Sequence, residues 1–248
     1  VLAGLGLGGC AGPLSTLDPA GPAASDVADI WWVMFTGAVV ILAGVMAAFL
    51  LSFGRGGRAV PKNLMLIGGG LVFPVVVLTL LLGWALFRGE HLLARAPAGM
   101  PVVHAHAVRF GWEFRYPAAN LTTMNILHVP AGEPFQVRVT SADVIHSFWV
   151  PRLGGKIDAV PGKTNRIVLA ADAPGTYAGT CAEYCGVGHA HMNFQVRAHP
   201  PADYETALAA AGDGAADPLV FNEDRPPPVL RQIRAAYQHV LRWLGVAP

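Results

Sequence analysis

The sequence predicts an N-terminal two-helix transmembrane hairpin followed by an all-β Greek-key sandwich or barrel. Three observations carry this expectation. Two uninterrupted apolar runs, neither holding a charged residue, lie before residue 90. From Val102 onward the texture changes to short alternating runs broken by turn residues. The composition, 53% hydrophobic and 13% charged, is skewed away from that of soluble proteins, where charged residues approach a quarter, and the skew is concentrated in the two runs.

Residues 1–29 precede the first run. Within them, Leu7-Gly8-Gly9-Cys10 has the small residues before a cysteine that mark the end of a bacterial lipoprotein signal, so Cys10 is a candidate for lipidation. The plainer alternative is a stray cysteine near a terminus. The hairpin itself is expected over residues 30–90, with helices at about 30–53 and 64–87. About 24 residues give roughly 36 Å of helix at 1.5 Å per residue, which exceeds a hydrocarbon core of about 30 Å. Trp31, Trp32 and Trp84 suit an interfacial aromatic belt. Pro74 should kink the second helix without ending it. Arg55, Arg58 and Lys62 lie in the connector, which by the positive-inside rule faces the cytoplasm. Both ends of the hairpin then face the periplasm of a bacterial inner membrane, the side on which a lipid on Cys10 would have to sit.

Residues 100–200 read as the β domain. Strands are expected at Val103 to Tyr116, Phe135 to Thr140, Arg166 to Ala170, Thr176 to Thr180 and Asn193 to Ala198, with His146 ending a further one. Pro130, Gly132, Pro151, Pro161-Gly162 and Pro174-Gly175 supply the turns. Residues 201–248 begin as a small-residue, acidic linker to Asp224 and continue past Pro226, Pro227 and Pro228. Leu230, Ile233, Tyr237, Val240, Leu241 and Leu244 then recur at helical spacing, with Arg231, Arg234 and Arg242 between them. That tail is either an amphipathic helix for a partner or membrane surface, or a solvated extension.

A formal net charge of +1 gives no electrostatic footprint for nucleic acid, and no phosphate-binding glycine loop occurs. Chemistry concentrates instead in Cys181-Ala182-Glu183-Tyr184-Cys185-Gly186-Val187-Gly188-His189-Ala190-His191-Met192, joined by the distant His146. Thiolate and thioether are soft donors suited to copper, and imidazole serves it well. Four readings are open on these residues: a disulfide between Cys181 and Cys185, a structural zinc site, a mononuclear blue-copper site, and a site with two thiolates plus terminal His and Met ligands. Methionine is not a usual zinc ligand, and a blue-copper site leaves one cysteine without a role. The two-thiolate site employs every residue.

The pattern Cys-x-Glu-x-Cys-Gly-x-x-His-x-x-Met, with upstream Ser141-x-Asp143-Val144-x-His146-Ser147-Phe148, resembles the dinuclear copper (CuA) motif of cytochrome c oxidase subunit II. The resemblance extends over the hairpin, Pro151-Arg152-Leu153-Gly154 and Lys156-Ile157-Asp158-Ala159-Val160-Pro161-Gly162. It implies a cupredoxin-like domain in which Cys181 and Cys185 bridge two copper ions. His146 and Met192 would ligate one copper, and His189 with the backbone carbonyl of Glu183 the other. The Glu183 side chain would help hold magnesium or manganese at the interface with subunit I. Implied partners are the haem-bearing subunit I, subunit III, cytochrome c and membrane lipid; the implied activity is that of a cytochrome c oxidase coupled to proton translocation.

Departures from that family are visible too. Its electron-accepting surface uses a Gln-Trp-x-Trp segment, matched here by Arg109-Phe110-Gly111-Trp112. Phe110 therefore stands at the expected electron-accepting tryptophan and Trp112 keeps the second, unless both are simply core aromatics. Ile67, beside Gly68, Gly69 and Gly70, replaces a glutamate the family often carries before its transmembrane proline. Glu133, Asp143 and Asp158 are the obvious acidic residues for docking a basic cytochrome. His91, His104, His106, His128, His191 and His199 have no counterpart in the motif, and no Cys-x-x-Cys-His haem motif occurs. A membrane-tethered copper-delivery protein and the copper domain of a nitrogen-oxide reductase are the alternatives; a quinol-oxidising relative is expected to have lost the copper ligands.

Overall fold

A computed structural model describes residues 10–54, 61–89 and 99–212. The first helix, α1 (Pro22–Ser52), starts eight residues before the apolar run. Pro22 occupies its first turn, where the missing N–H has no intrahelical partner to lose, and Gly21 precedes it in extended conformation. Those extra turns have a job outside any membrane. Ala24 and Ala28 are buried, and Gly21 sits so close to the Ala170 carbonyl that a side chain could not be accommodated. The Ala20 N–H donates to the Arg152 carbonyl at 2.7 Å, the Asp172 N–H donates to the Ala20 carbonyl at 2.9 Å, and Arg152 pairs with Asp18 at 3.2 Å. The start of α1 is thereby fastened to the β domain.

After the connector, Leu64–Val72 is a π-helix that passes into α2 (Phe73–Gly89). The Phe73 N–H reaches back five residues, to the Gly68 carbonyl. Pro74 cannot donate and its ring crowds the preceding turn, so the expected kink takes the form of a change in helical register. The span Leu64–Phe87, like α1, is long and apolar enough to cross a membrane, and neither apolar stretch is buried within the chain. α1 and α2 flank an apolar cleft of about 460 Å³ lined by Met34, Gly37, Ile41, Val77, Leu81 and Trp84. Val33 and Trp84 line the same cleft, which places Trp84 near the Trp31–Trp32 end and gathers the aromatic residues on the side of the β domain.

Ten strands follow: β1 (Val102–Val108), β2 (Gly111–Tyr116), β3 (Leu121–Met124), β4 (Ile126–Pro130), β5 (Pro134–Ser141), β6 (His146–Trp149), β7 (Ile157–Ala159), β8 (Asn165–Ala170), β9 (Gly175–Cys181) and β10 (Asn193–His199). They form two five-stranded sheets, ordered β3-β2-β1-β5-β8 and β4-β10-β9-β6-β7. Each sheet is mixed, with β1–β5 and β4–β10 parallel and the remaining pairs antiparallel. The two inner faces meet on an aromatic cluster. Trp112 lies 5.6 Å from Phe148 and 5.5 Å from Phe194, and the Phe148 and Phe194 rings stack at 4.8 Å. Strand alternation explains the set: Trp112, Phe114 and Tyr116 point inward, while the Glu113 and Arg115 side chains pair outside at 2.7 Å.

Four expectations are corrected. Val103 to Tyr116 is a hairpin, β1 and β2, joined by a two-residue turn at Arg109 and Phe110, with Val108 opposite Gly111. His146 opens β6 instead of ending a strand. The first helix is longer than 30–53 at its N-terminal end. The start of the linker after Pro201 is a helix, α3 (Tyr204–Gly212), whose Leu208 is buried in the core. Arg55, Arg58, His91, the lipoprotein-like Leu7-Gly8-Gly9 and the whole tail from residue 213, including Leu230 to Leu244, lie outside the described residues.

Candidate metal centre

Two neighbouring strands and one loop bring the donors together. β6 delivers His146, and β9, paired with β6 through Phe148 opposite Cys181, delivers Cys181 at its end. The loop then closes on itself: the Cys181 N–H donates to the Met192 carbonyl at 2.9 Å, and the Ala182 N–H to the Ser147 carbonyl at 2.9 Å. Inside it, a short 3-10 turn at His189–His191 is held by the His189 N–H on the Gly186 carbonyl at 3.0 Å. Gly186 has φ of +132°, a conformation that only glycine adopts without strain.

The donor atoms form one continuous cluster. The Cys181 Sγ lies 3.9 Å from the Cys185 Sγ, 3.9 Å from His146 Nδ1 and 3.3 Å from the Glu183 carbonyl oxygen. The Cys185 Sγ lies 3.7 Å from both His189 Nδ1 and Met192 Sδ. His146 and Met192 are fully buried, Cys181 and Cys185 nearly so, and both cysteines are free thiols. Among the described residues, His146, Cys181 and Cys185 form the group of His, Cys and carboxylate ligand atoms close enough to share a metal ion. A disulfide does not account for this arrangement, since the thiols stand apart and each faces further donors. Two thiol sulfurs and a thioether, soft donors, together with two imidazole nitrogens and one carbonyl oxygen make a sulfur-rich donor set that fits copper.

Electrostatics reinforces the point. Burial raises the Cys181 thiol, but its contacts with His146, the Glu183 backbone and Ser147 outweigh burial, and the net shift is downward. Burial and then the Cys181 charge push Cys185 upward. The two shifts run in opposite directions because the thiols are close enough for a charge on one to disfavour a charge on the other. His146 Nε2 meets Asp143 Oδ1 at 2.8 Å, leaving Nδ1 to face the sulfurs.

The remaining sequence-predicted residues are placed less simply. Phe110 and Trp112 are both in the core, 3% and 0% exposed, so neither lies on a docking surface. Trp112 sits edge-on to His146 at 6.3 Å, and Phe110 packs on Gly186 and Gly188 of the ligand loop. The Glu183 carboxylate pairs with Lys156 at 3.7 Å. Cys10 is exposed, with its carbonyl accepting from the Ser15 hydroxyl at 2.6 Å. His104, His106, His128 and His199 are strand histidines, and His191 lies exposed on the 3-10 turn.

Sequence reasoning missed Asn125, buried between β3 and β4 at φ +57°, whose Oδ1 accepts from the Trp112 N–H at 2.8 Å. Its isolated position between two short strands gave no periodic signal. The rim of the site was missed as well: Ile145, Tyr184 and Val187 are exposed, and an open depression of about 500 Å³ with Cys185 in its lining lies between Val144 and Glu183.

Two membrane-compatible helices followed by a β-sandwich with a cluster of potential metal ligands define a class: cupredoxin-like domains on a helical hairpin. The family described as cytochrome c oxidase subunit II, periplasmic domain, matches residues 103–199. Cytochrome c oxidase subunit 2 of Alkalihalophilus pseudofirmus is 33% identical over 215 residues, covering 80% of this chain and 63% of the relative. Quinol oxidase subunit 2 of Bacillus cereus is 32% identical over 214 residues, covering 80% and 73%. Among solved structures, the periplasmic domain of subunit II of cytochrome oxidase from Bradyrhizobium japonicum matches with a TM-score of 0.46 and 28% identity, over 48% of this chain and 98% of that one. The chain belongs to the cytochrome c oxidase subunit II family of haem-copper oxidases, a family whose matched relatives include both cytochrome c and quinol oxidase subunits.

Proposed function

We propose that this chain is the electron-accepting subunit II of a cytochrome c oxidase, anchored in a bacterial inner membrane with its β domain in the periplasm. Two copper ions would be held by the sulfurs of Cys181 and Cys185, with His146, His189, Met192 and the Glu183 carbonyl completing the site. The observation that carries this reading is the convergence of four further donors on one sulfur pair, each within 3.9 Å of a cysteine sulfur. When bound, the copper pair supplies a one-electron relay between cytochrome c and the haems of subunit I.

The chain's own residues do the rest. β6 and β9 fix His146 and Cys181 on a sheet, a rigid support that would keep the two ligands in place as the metal gains and loses an electron. Burial leaves Cys181 and Cys185 only 4% and 5% exposed, and the backbone bonds that close the loop at Met192 hold the distal donors in place. Exposed Ile145, Tyr184 and Val187 around the cluster form an apolar rim suited to contact with a partner subunit. Phe110, in the β1–β2 turn, packs on the ligand loop and Trp112, in β2, packs on His146, so both would serve an electron path as packing and not as contact residues. Glu183 faces the same depression as Asp158, consistent with a magnesium or manganese ion at the subunit I interface. Cys10, exposed at the domain end of α1, is sterically open to a lipid anchor.

Quinol oxidation is the second reading, favoured by relatives bearing that name at 30% to 32% identity. The intact donor set speaks against it, because a subunit that takes electrons from quinol has no use for copper ligands. The test is the native complex purified from membranes. Two coppers per chain, a mixed-valence electron paramagnetic resonance signal and oxidation of reduced cytochrome c are expected. A copper-free complex turning over quinol would establish the second reading, and a copper-loaded chain isolated without haem partners would favour metal delivery.

A further inference from the structure

Asp143 was legible in the sequence as a surface carboxylate for docking a basic cytochrome. Its surroundings say otherwise. One carboxylate oxygen, Oδ1, meets His146 Nε2 at 2.8 Å and accepts from the Val144 N–H at 2.6 Å. The other, Oδ2, accepts from the Arg109 N–H at 2.9 Å and lies 3.5 Å from the Arg109 side chain. The Ser141 hydroxyl approaches Oδ1 at 3.5 Å and accepts from the Asp143 N–H at 3.2 Å. With these partners the carboxylate is turned inward, and its side chain is 26% exposed.

Arg109 begins the turn that carries Phe110, and the Phe110 ring rests on Gly186 and Gly188 of the ligand loop; a methyl added at Gly188 would collide with it. Asp143 therefore links two pieces of the site that are distant in sequence. Through Oδ1 it sets the outer nitrogen of His146, and so the direction of Nδ1; through Oδ2 it fixes the turn that presses on the loop between Cys185 and His189. Hydrogen bonds to the outer nitrogen of a ligating histidine fix its tautomer and ring orientation, and their loss typically costs about 10- to 100-fold in metal affinity or activity.

We infer that Asp143 is a positioning residue of the metal centre, bracketing His146 to the Arg109–Phe110 turn, and not a docking charge. The inference rests on the reading that the cluster holds copper. Asp143→Asn, in the full chain within its complex, keeps the shape but loses the charge and part of the accepting capacity. Copper retention against a chelator should fall about 10- to 100-fold, the paramagnetic hyperfine pattern and the reduction potential should change, and the salt dependence of reduction by cytochrome c should match wild type. A docking charge gives the reverse: an unchanged copper signal and potential, with slower reduction and a flatter salt dependence. That result overturns the inference. If Asp143→Asn does not fold, Asp143→Glu carries the same test, because it keeps the charge and displaces the carboxylate by one methylene; a wild-type copper signal there also overturns it. Arg109→Ala retains the backbone N–H and should leave the signal as in wild type; a change as large as that of the Asp143 variants would shift the role to the Arg109 side chain. Wild-type chain that binds no copper would instead refute the underlying copper reading, so the two failures are distinct.

Discussion

At position 188 a single methyl group would collide with the Phe110 ring, whereas at Gly155 the same methyl would meet nothing within 4 Å. The contrast isolates the packing between the ligand loop and the β1–β2 turn. Overpacking a tight contact typically costs about 1–3 kcal/mol. Gly188→Ala is expected to lower thermal stability by that order and to loosen copper retention, while Gly155→Ala should do neither. Removing the obstructing ring restores room, so Gly188→Ala combined with Phe110→Ala should be less destabilised than the sum of the two single changes. Melting curves and chelator competition on the four variants check this; strict additivity would show that the ring does not press on the loop. At this scale the clustered residues were legible, since Cys181, Cys185, His189 and Met192 fall within twelve positions, with only His146 supplied from a distance. What was not legible was direction. For Phe110 and Trp112 the sequence left docking surface and core both open, and Asp143 looks there like a docking charge; their tertiary partners turn all three inward.

Strands and turns were legible where alternation or turn chemistry was strong. Phe135 to Thr140, Arg166 to Ala170, Thr176 to Thr180 and Asn193 to Ala198 fall within β5, β8, β9 and β10. The β1–β2 hairpin was not, because its turn is Arg109-Phe110 and not one of the glycine or asparagine dipeptides that advertise a two-residue loop. β3 and β4 are four and five residues long, separated by Asn125 alone, and β7 has three. Such strands exist by pairing with neighbours, a tertiary effect that local propensity does not encode.

The parallel β4–β10 pair carries its own chemical consequence. His128 and His199 stack at 5.1 Å, with Nδ1 of the first 2.9 Å from Nε2 of the second, and the His128 N–H donates to the Tyr116 hydroxyl at 2.7 Å. Burial, then the neighbouring His199 and Arg197, depress His128 from 6.5 to about 4. A histidine held neutral in the folded state stabilises fully above its unfolded value; that stability is lost as pH falls from about 6.5 toward about 4, because the unfolded chain then binds the extra proton. His128→Gln cannot titrate, so its melting temperature should fall less steeply over that window than wild type's. Parallel curves would show that another group governs acid sensitivity.

The whole molecule poses a question of sidedness that neither the hairpin nor the sandwich answers alone. Asp18 and Ala20 are bonded to Arg152 and Asp172 of the β domain and Gly21 packs against Ala170, so the start of α1 and the domain must share one side of the membrane. The cleft between the helices sets Val33 and Trp84 at that end, which leaves the connector around Lys62 at the other. Arg55, Arg58 and Lys62 give the connector the charge that is retained in the cytoplasm. The predicted orientation can be read with single thiols in a Cys10→Ser background, where the remaining native thiols, Cys181 and Cys185, are buried. Leu14→Cys, at an exposed position on the domain side, should react with a membrane-impermeant maleimide in intact spheroplasts. Lys62→Cys should react only after the membrane is permeabilised. The opposite pattern would place the metal centre in the cytoplasm, out of reach of a periplasmic cytochrome, and would remove the proposed electron donor along with the topology.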